Sequence, residues 1–139
     1  MSAEQSDSHS VGDRTIVGLT EYVVVKGAVE TKDLIARIDT GATKSSIDLM
    51  LASKLGLGPV VDSKLIKSAY GIRLRPVVQA DIMIAGRLIR AKFTLADRLH
   101  MRFPVLIGQN ILKRGFLVDP SRRVDLPLKK KDKEQSDGK

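Results

Sequence analysis

A chain of 139 residues with 42% hydrophobic content is long enough for one domain with a substantial core and too short for two ordinary ones. The absence of cysteine excludes disulfides, thiolate zinc sites and cysteine nucleophiles, and it fits a reducing compartment. The formal charge of +8 is concentrated in residues 64–102, which hold nine lysines and arginines and two acids. Such a stretch predicts either a surface that attracts polyanions or an ordinary solvated face.

The two ends of the chain differ in composition from its middle. The stretch "MSAEQSDSHSVGD" is polar and lacks the apolar segment of a signal peptide or membrane span, so we expect a cytoplasmic protein without a membrane partner. Residues 1–13 and 129–139 are low in apolar side chains and are predicted to be disordered tails. One domain is expected over residues 14–128.

Two strand-like segments lead to an aspartate. The segment "TEYVVVKG" is rich in β-branched residues and ends at Gly27, and "TKDLIARI" follows it. In the second segment Leu34, Ala36 and Ile38 alternate on one face, which is typical of a half-buried strand. This strand is expected to end at Asp39.

Two short segments have helical patterns. The apolar residues of "SIDLMLASKLGLG" that follow helical spacing are Ile47, Met50, Leu51 and Leu55. Gly56 is placed for a left-handed cap at the end of that helix. The second segment, "GQNILKRG", is shorter and is closed by Gly115. We therefore expect two small helices in a mostly β domain.

The segment 77–97 predicts a β-hairpin that turns at Ala85 and Gly86. Its second arm alternates between an apolar and a more polar face. The apolar face holds Ile89, Ala91, Phe93 and Leu95, and the other face holds Arg90, Lys92 and Thr94. The runs "FPVLIG" and "GFLVDP" that follow are nearly continuously apolar and are expected to be strands buried on both sides.

The stretch "ARIDTGATKSS" holds the residues that suggest chemistry. An aspartate followed by Thr40 and Gly41 can be held by backbone N–H groups, because glycine allows close backbone approach and a positive φ. With a second carboxylate within about 3 Å, the pair would share a proton and could activate a water. The chain has no second Asp-Thr-Gly, so the simplest partner is Asp39 of a second copy. The alternative is an ordinary turn.

A second element far downstream gives this aspartate a context. In "FPVLIGQNIL", two apolar residues precede Gly108 and a short helix follows. Together with an apolar strand that ends in Asp-Thr-Gly-Ala, this pattern resembles the aspartic-protease lobe of the retropepsin type. The segments "GLTEYV", "ADRLHMRFPVLIGQNIL" and "FLVDPS" are similar to a bacterial and archaeal branch of retropepsin-like aspartic endopeptidases that is labelled an ATP-dependent zinc protease.

The resemblance extends from Ile16 to Ser121 and implies a fold. That fold is all-β, a single-lobe acid-protease closed barrel with one or two short helices, and its apolar-apolar-Gly element passes behind the catalytic loop. It also implies roles at that loop. Asp39 would be the catalytic aspartate, Thr40 would brace the two loops of a homodimer, and Gly41 would allow their close approach. Ala42 would follow the loop into the substrate site.

A flap is implied by the same resemblance. The segment 68–73 lies where retropepsins carry a glycine-containing flap, so Tyr70 and Gly71 would contact substrate, although a plain hairpin tip with an exposed tyrosine fits equally well. The cations near this segment and the following hairpin are Arg73, Arg75 and Arg87. They could favour acidic peptides.

Two positions depart from the viral pattern. Viral retropepsins usually carry an aspartate directly after Asp-Thr-Gly-Ala and an arginine directly after the apolar-apolar-Gly, and the two form an ion pair. Thr43 and Gln109 stand there in this chain. A neutral contact between them could take its place, and a monomer or weak dimer stays open. The hydroxyls of Thr43, Ser45 and Ser46 are expected to tether the loop.

No metal and no cofactor is expected. His9 lies in the polar tail, His100 stands alone, and the chain has neither a His-Glu-x-x-His motif nor a Gly-Lys-Ser/Thr phosphate loop. The zinc and ATP of the family label therefore find no support in these residues.

Two functions fit these observations. The first is a homodimeric aspartic endopeptidase acting on peptide or protein substrates, with acidic polypeptides as the expected preference. The second is a catalytically silent module of the same fold that recognises acidic protein or RNA through its basic face. Nucleic acid is the less favoured partner, because base stacking needs exposed aromatic side chains. Only Tyr22 and Tyr70 remain once the three phenylalanines are assigned to the core.

Overall fold

The chain forms ten strands and two short helices over residues 10–124, the part described by a computed structural model. The strands are β1 (Ser10–Val11), β2 (Arg14–Val17), β3 (Thr20–Lys26), β4 (Thr31–Ile38), β5 (Ser45–Asp48), β6 (Val60–Ser68), β7 (Gly71–Ile84), β8 (Arg87–Ala96), β9 (Val105–Ile107) and β10 (Phe116–Val118). The helices are α1 (Leu49–Leu55) and α2 (Gln109–Leu112). Neither of these helices is long and apolar enough to cross a membrane.

The predicted domain limits are only partly within the described range. Residues 1–9 and 125–139, which include most of the predicted N-terminal tail and all of the C-terminal one, lie outside it. The short strand β1 lies within the stretch that was assigned to the N-terminal tail. Because β1 pairs with β2, the ordered part of the domain begins before the predicted boundary at residue 14.

Six strands close into a barrel. Neighbouring strands follow the order β3, β4, β9, β5, β8 and β7, and β7 pairs back onto β3. Strand β6 continues the sheet outward from β7 as the other arm of a long hairpin. A separate three-stranded sheet joins β1, β2 and β10. The mainly β, closed-barrel fold with two short helices is thus confirmed.

The barrel interior is filled by the predicted apolar faces. On β8, Ile89, Ala91 and Phe93 are buried while Arg90 and Lys92 are exposed. All three phenylalanines are in the core, as expected, whereas both tyrosines are exposed. The turn between β7 and β8 is formed by Ala85 and Gly86, both with positive φ (50° and 80°), which matches the predicted position.

Three details of the sequence prediction are wrong. Thr94 lies on the same face of β8 as Lys92, as predicted, but it is not exposed there, because it is buried beside β5 and β7. Ile47 was assigned to the first helix, but it lies in β5, because the carboxylate of Asp48 accepts the N–H of Leu51 (3.0 Å) and caps a helix that begins only at Leu49. Strand β10 is not buried on both sides, since Leu117 is 41% exposed.

Candidate active site

Asp39 is fixed by backbone hydrogen bonds at the point where β4 ends. Its N–H donates to the carbonyl of Ile107 (2.9 Å), and the N–H of Gly41 donates to its Oδ1 (2.9 Å). The side chain is half-buried, while Thr40 and Gly41 are exposed. The carboxylate therefore has a defined direction and remains open to solvent on one side.

Gly41 acts by its missing side chain. The expected positive φ is wrong, because Gly41 is not among the glycines that adopt one in the described range. A Cβ at this position would stand 3.3 Å from Oδ1 of Asp39, which is a tight contact. The glycine thus leaves room beside the carboxylate.

Strand β9 passes behind the aspartate loop, as the sequence predicted. It pairs in parallel with β4, and Ile38 stands opposite Ile107. Directly after it, the N–H of Gln109 donates to the carbonyl of Ala42 (2.8 Å) and that of Asn110 donates to Thr43 (3.2 Å). A Cβ on Gly108 would lie only 2.2 Å from the carbonyl oxygen of Lys44. Only glycine fits this crossing without displacing the loop.

A buried serine ties the loop to this crossing. The Oγ of Ser45 donates to Oδ1 of Asn110 (2.7 Å) and accepts the N–H of Gly108 (2.9 Å). Asn110 in turn donates from Nδ2 to the carbonyl of Lys92 (3.0 Å). The expected tether by Ser45 is present. The contribution of Asn110 was missed, because no local pattern places it opposite a serine so distant in sequence.

Gln109 takes a different partner from the one expected. Its Nε2 donates to the carbonyl of Thr40 (2.7 Å), and no hydrogen bond joins its side chain to Thr43 within residues 10–124. The neutral Thr-Gln contact suggested by sequence is therefore wrong. The amide instead steadies the loop one residue after Asp39.

The predicted flap is the tip of the hairpin formed by β6 and β7. Gly71 has a φ of 119°, and the N–H of Tyr70 donates to Oγ of Ser68 (3.2 Å). The side chain of Tyr70 is 100% exposed, so in a single chain it does not cover Asp39. Arg73 lies opposite Ile66 near this tip. The structure therefore places Tyr70, Gly71 and Arg73 on a projecting hairpin.

A cleft of about 370 Å³ lies between this hairpin and the aspartate loop. Its lining residues are Gly41, Ala42, Thr43, Lys44, Ser45, Ser46, Lys64, Ile66, Arg75 and Thr94. Two of the predicted substrate-binding residues, Ala42 and Arg75, thus meet in one place. Lys44 and Lys64 also line it and were missed. Lys64 is brought there by the register of β6 with β7, which sets it opposite Arg75, and Lys44 lies in the loop between Asp39 and β5. The lining contains three cations and no carboxylate.

Histidine and carboxylate side chains do not gather elsewhere into a metal site in the described part of the chain. No group of three or more potential ligands lies close enough together there, and His100 is exposed. His9 lies outside the described residues.

The family assignment rests on a match to the part of the chain that follows β5. Residues 53–125 match the RimB-like family, described as "Retropepsin-like aspartic endopeptidase RimB", and the match spans more than half of the chain. The chain belongs to this family. The resemblance drawn from the sequence is thereby confirmed. The matched residues of this RimB-like chain include the flap hairpin, β9 and Gly108, while Asp39 precedes them.

Individual relatives agree with the fold. The RimB-like chain is 34% identical over 83 residues to DNA damage-inducible protein 1 of Saccharomyces cerevisiae, a match covering 57% of this chain and 19% of the yeast protein. The chain thus spans about a fifth of that relative's length.

Three solved structures are similar, each with a TM-score of 0.53. The Legionella pneumophila protein Lpg0085, of unknown function, is 20% identical and the match covers 78% of this chain and 94% of that one. The simian foamy virus protease is 18% identical, with 68% and 91% covered. The EIAV protease is 22% identical, with 68% and 84% covered. At these identities the likeness shows the fold alone.

Gly108→Ala should destabilise the protein by about 2 kcal/mol or more, because the added Cβ forces either the loop carbonyls or β9 to move. Chemical denaturation measures the loss. Gly12→Ala is the control, since its Cβ would meet nothing within 4 Å and only the left-handed φ (62°) is strained, which should cost about 1 kcal/mol. Equal losses for the two variants would contradict the close crossing.

Proposed function

We propose that this RimB-like chain is an aspartic endopeptidase that hydrolyses peptide bonds as a homodimer. The carboxylate of Asp39 carries the proposal: it is oriented by the N–H of Gly41, its backbone is anchored from behind by β9, and it is half-buried in a loop whose later residues line a cleft. Membership of a family of retropepsin-like aspartic endopeptidases supports the same reaction.

The second copy is needed for the chemistry. One carboxylate can act as a base towards water, but acid–base catalysis of peptide hydrolysis also needs a proton donor to the carbonyl oxygen. Two copies of Asp39 brought together would share one proton, so that one is the base and the other the acid, and their apparent pKa values would belong to the pair. Thr40 and Gly41 are exposed at the loop, where the loop of a second copy would approach.

The flap residues would complete the site in the dimer. Tyr70 and Gly71 at the hairpin tip would close over a bound peptide, with Arg73 beside them, and so exclude water from the reaction. The full exposure of Tyr70 in the single chain is in keeping with a group that gains its contacts only when substrate is bound. Ala42 would form the cleft floor next to the catalytic loop.

An acidic substrate suits the charge of the cleft. Lys44, Lys64 and Arg75 line it, and none of its lining residues is a carboxylate. An anionic peptide would gain charge-assisted hydrogen bonds from these groups, whereas a cationic one would be repelled. We place this activity in the cytoplasm, because a chain without cysteine fits a reducing compartment.

Asp39→Asn should abolish cleavage, with a loss of at least about a hundredfold, because the amide cannot take the proton from water. The measurement is mass-spectrometric detection of cuts in a diverse peptide pool that includes acidic sequences, with circular dichroism to verify the fold. Asp33→Asn, an exposed carboxylate on the same strand, is the control and should keep full activity. Cuts that persist in Asp39→Asn would contradict the proposal. Binding of acidic peptides or RNA without any cut in the wild type would instead favour the silent binding module.

Mixing subunits tests the shared site. When wild type is co-refolded with a tenfold excess of Asp39→Asn, most wild-type chains pair with an inactive partner, so activity per wild-type chain should fall about tenfold. Co-refolding with Asp33→Asn is the matched control and should cause no fall per intact Asp39. An unchanged activity per wild-type chain at high excess of Asp39→Asn would show that one chain suffices.

Lys64→Ala combined with Arg75→Ala should reduce kcat/KM for a glutamate-rich peptide by about tenfold or more relative to its glutamine analogue, since charge-assisted hydrogen bonds are lost. Lys54→Ala, on the exposed side of α1, is the control for net charge and should leave the ratio unchanged. An unaltered ratio in the double variant would remove the basis for an acidic preference in this cleft.

A further inference from the structure

Arg98 is half-buried, and both hydrogen-bond partners of its guanidinium are neutral. Its Nε donates to the carbonyl of Phe103 (3.0 Å) and its Nη1 donates to Oγ of Ser46 (3.3 Å). Within residues 10–124 no carboxylate lies at ion-pair distance from it. A guanidinium has five N–H donors, so it retains capacity for a further acceptor. A charged group taken partly out of water normally has an anion in direct contact, and among the described residues the guanidinium of Arg98 has none at ion-pair distance.

The surroundings of Arg98 oppose its charge. Burial lowers the pKa of Arg98, and the positive charge of Arg37 lowers it further, while Asp48 and Asp39 act in the opposite direction. Asp48 is already committed, since one oxygen accepts the N–H of Leu51 (3.0 Å) and the other accepts the backbone N–H of Arg98 (2.8 Å). The guanidinium therefore lies near a second cation, and the charges of Asp48 and Asp39 offset burial and this repulsion only in part.

The second cation stands next to the proposed catalytic group. Arg37 precedes Asp39 by two residues on β4, and the buried Ile38 lies between them, so Arg37 and Asp39 project to the same side of the sheet. The strand register sets Arg37 opposite Leu106 on β9, and Leu106 opposite Ser46 on β5. Arg98 is hydrogen-bonded to Ser46 at the far end of this row. The two arginines therefore lie at opposite ends of the row formed by Leu106 and Ser46, and Ser46 also lines the cleft.

We propose that Arg37 and Arg98 form a carboxylate-binding pair that holds an acidic side chain of the substrate next to the bond cleaved at Asp39. The proposal rests on the function proposed above. An anion between two guanidinium groups converts their mutual repulsion into two charge-assisted hydrogen bonds, and the planar guanidinium can bind a carboxylate in bidentate fashion. The partial burial of Arg98 strengthens such a contact, because water screens it less.

The position of the pair favours a substrate side chain over a group of the protein itself. Arg37 is exposed on the side of the strand that carries Asp39, and Ser46, which accepts from Arg98, also lines the cleft beside the aspartate loop. A peptide lying across that loop would present a side chain to this row. Lys64 and Arg75 belong to the hairpin on the other side of the cleft, so the arginine pair is a separate determinant with its own position along the peptide.

The test compares peptides that differ only by Glu or Gln at one position near the cut. Arg37→Gln and Arg98→Gln are each expected to lower the Glu-to-Gln ratio of kcat/KM by about tenfold at one and the same position. Arg98→Lys keeps the positive charge but loses the planar guanidinium that binds a carboxylate in bidentate fashion, so it should retain part of the preference for Glu. Lys32→Gln, an exposed cation at the start of β4, is the control. Circular dichroism verifies that each variant folds. Because Arg37 is exposed, its replacement is expected to leave the core intact.

A binding measurement separates this proposal from the proposed reaction. Fluorescence anisotropy with the same labelled peptides on Asp39→Asn protein should show the same loss of Glu preference in both arginine variants. If the wild type cleaves nothing but this binding pattern appears, the reaction is wrong and the carboxylate site stands. An unchanged Glu-to-Gln ratio in both measurements overturns the site. Loss of dimerisation in sedimentation, with that ratio retained, would overturn it too and assign the anion to a second copy.

Discussion

The contact between Gly108 and the carbonyls of the aspartate loop is the constraint on which the rest of the site depends. Strands β4 and β9 run in parallel and deliver Asp39 and Gly108 to the same end of the barrel. The loop is then held by main-chain hydrogen bonds and by the side chains of Ser45, Asn110 and Gln109, all of them neutral groups. A single chain therefore orders its aspartate loop with neutral groups, in place of the ion pair expected from viral retropepsins.

Local sequence patterns were sufficient for most of the barrel and for the position of Asp39. Strand alternation and turn chemistry depend on near neighbours, so β4 and the Ala85–Gly86 turn could be predicted. Helical spacing misassigned Ile47, because periodicity does not register the cap formed by Asp48. Asn110 and Arg98 were not predicted as site residues, since their partners lie 65 and 52 residues away and meet them only through the pairing of β5 with β9 and β8.

The positive charge of the chain acquires a meaning from its location. From sequence alone the basic stretch was equally compatible with an ordinary solvated face. In the fold some of these cations have structural contacts. Arg87 donates to the carbonyl of Arg114. Arg90 forms an ion pair with Asp81 and lowers the pKa of that carboxyl. Others, namely Lys64 and Arg75, line the cleft together with Lys44, and the lining residues include no carboxylate. The proposed preference for acidic substrates rests on this subset rather than on the net charge.

The crossing of β9 behind the loop also governs when the site can exist. Strand β9 and Gly108, which position Asp39, are the last part of the barrel to leave the ribosome. Until they emerge, the aspartate loop lacks the hydrogen bonds that hold it. Contacts of such long sequence separation form late and slowly in folding. The proposed activity would therefore be absent while the chain is being made and would begin only when β9 completes the barrel.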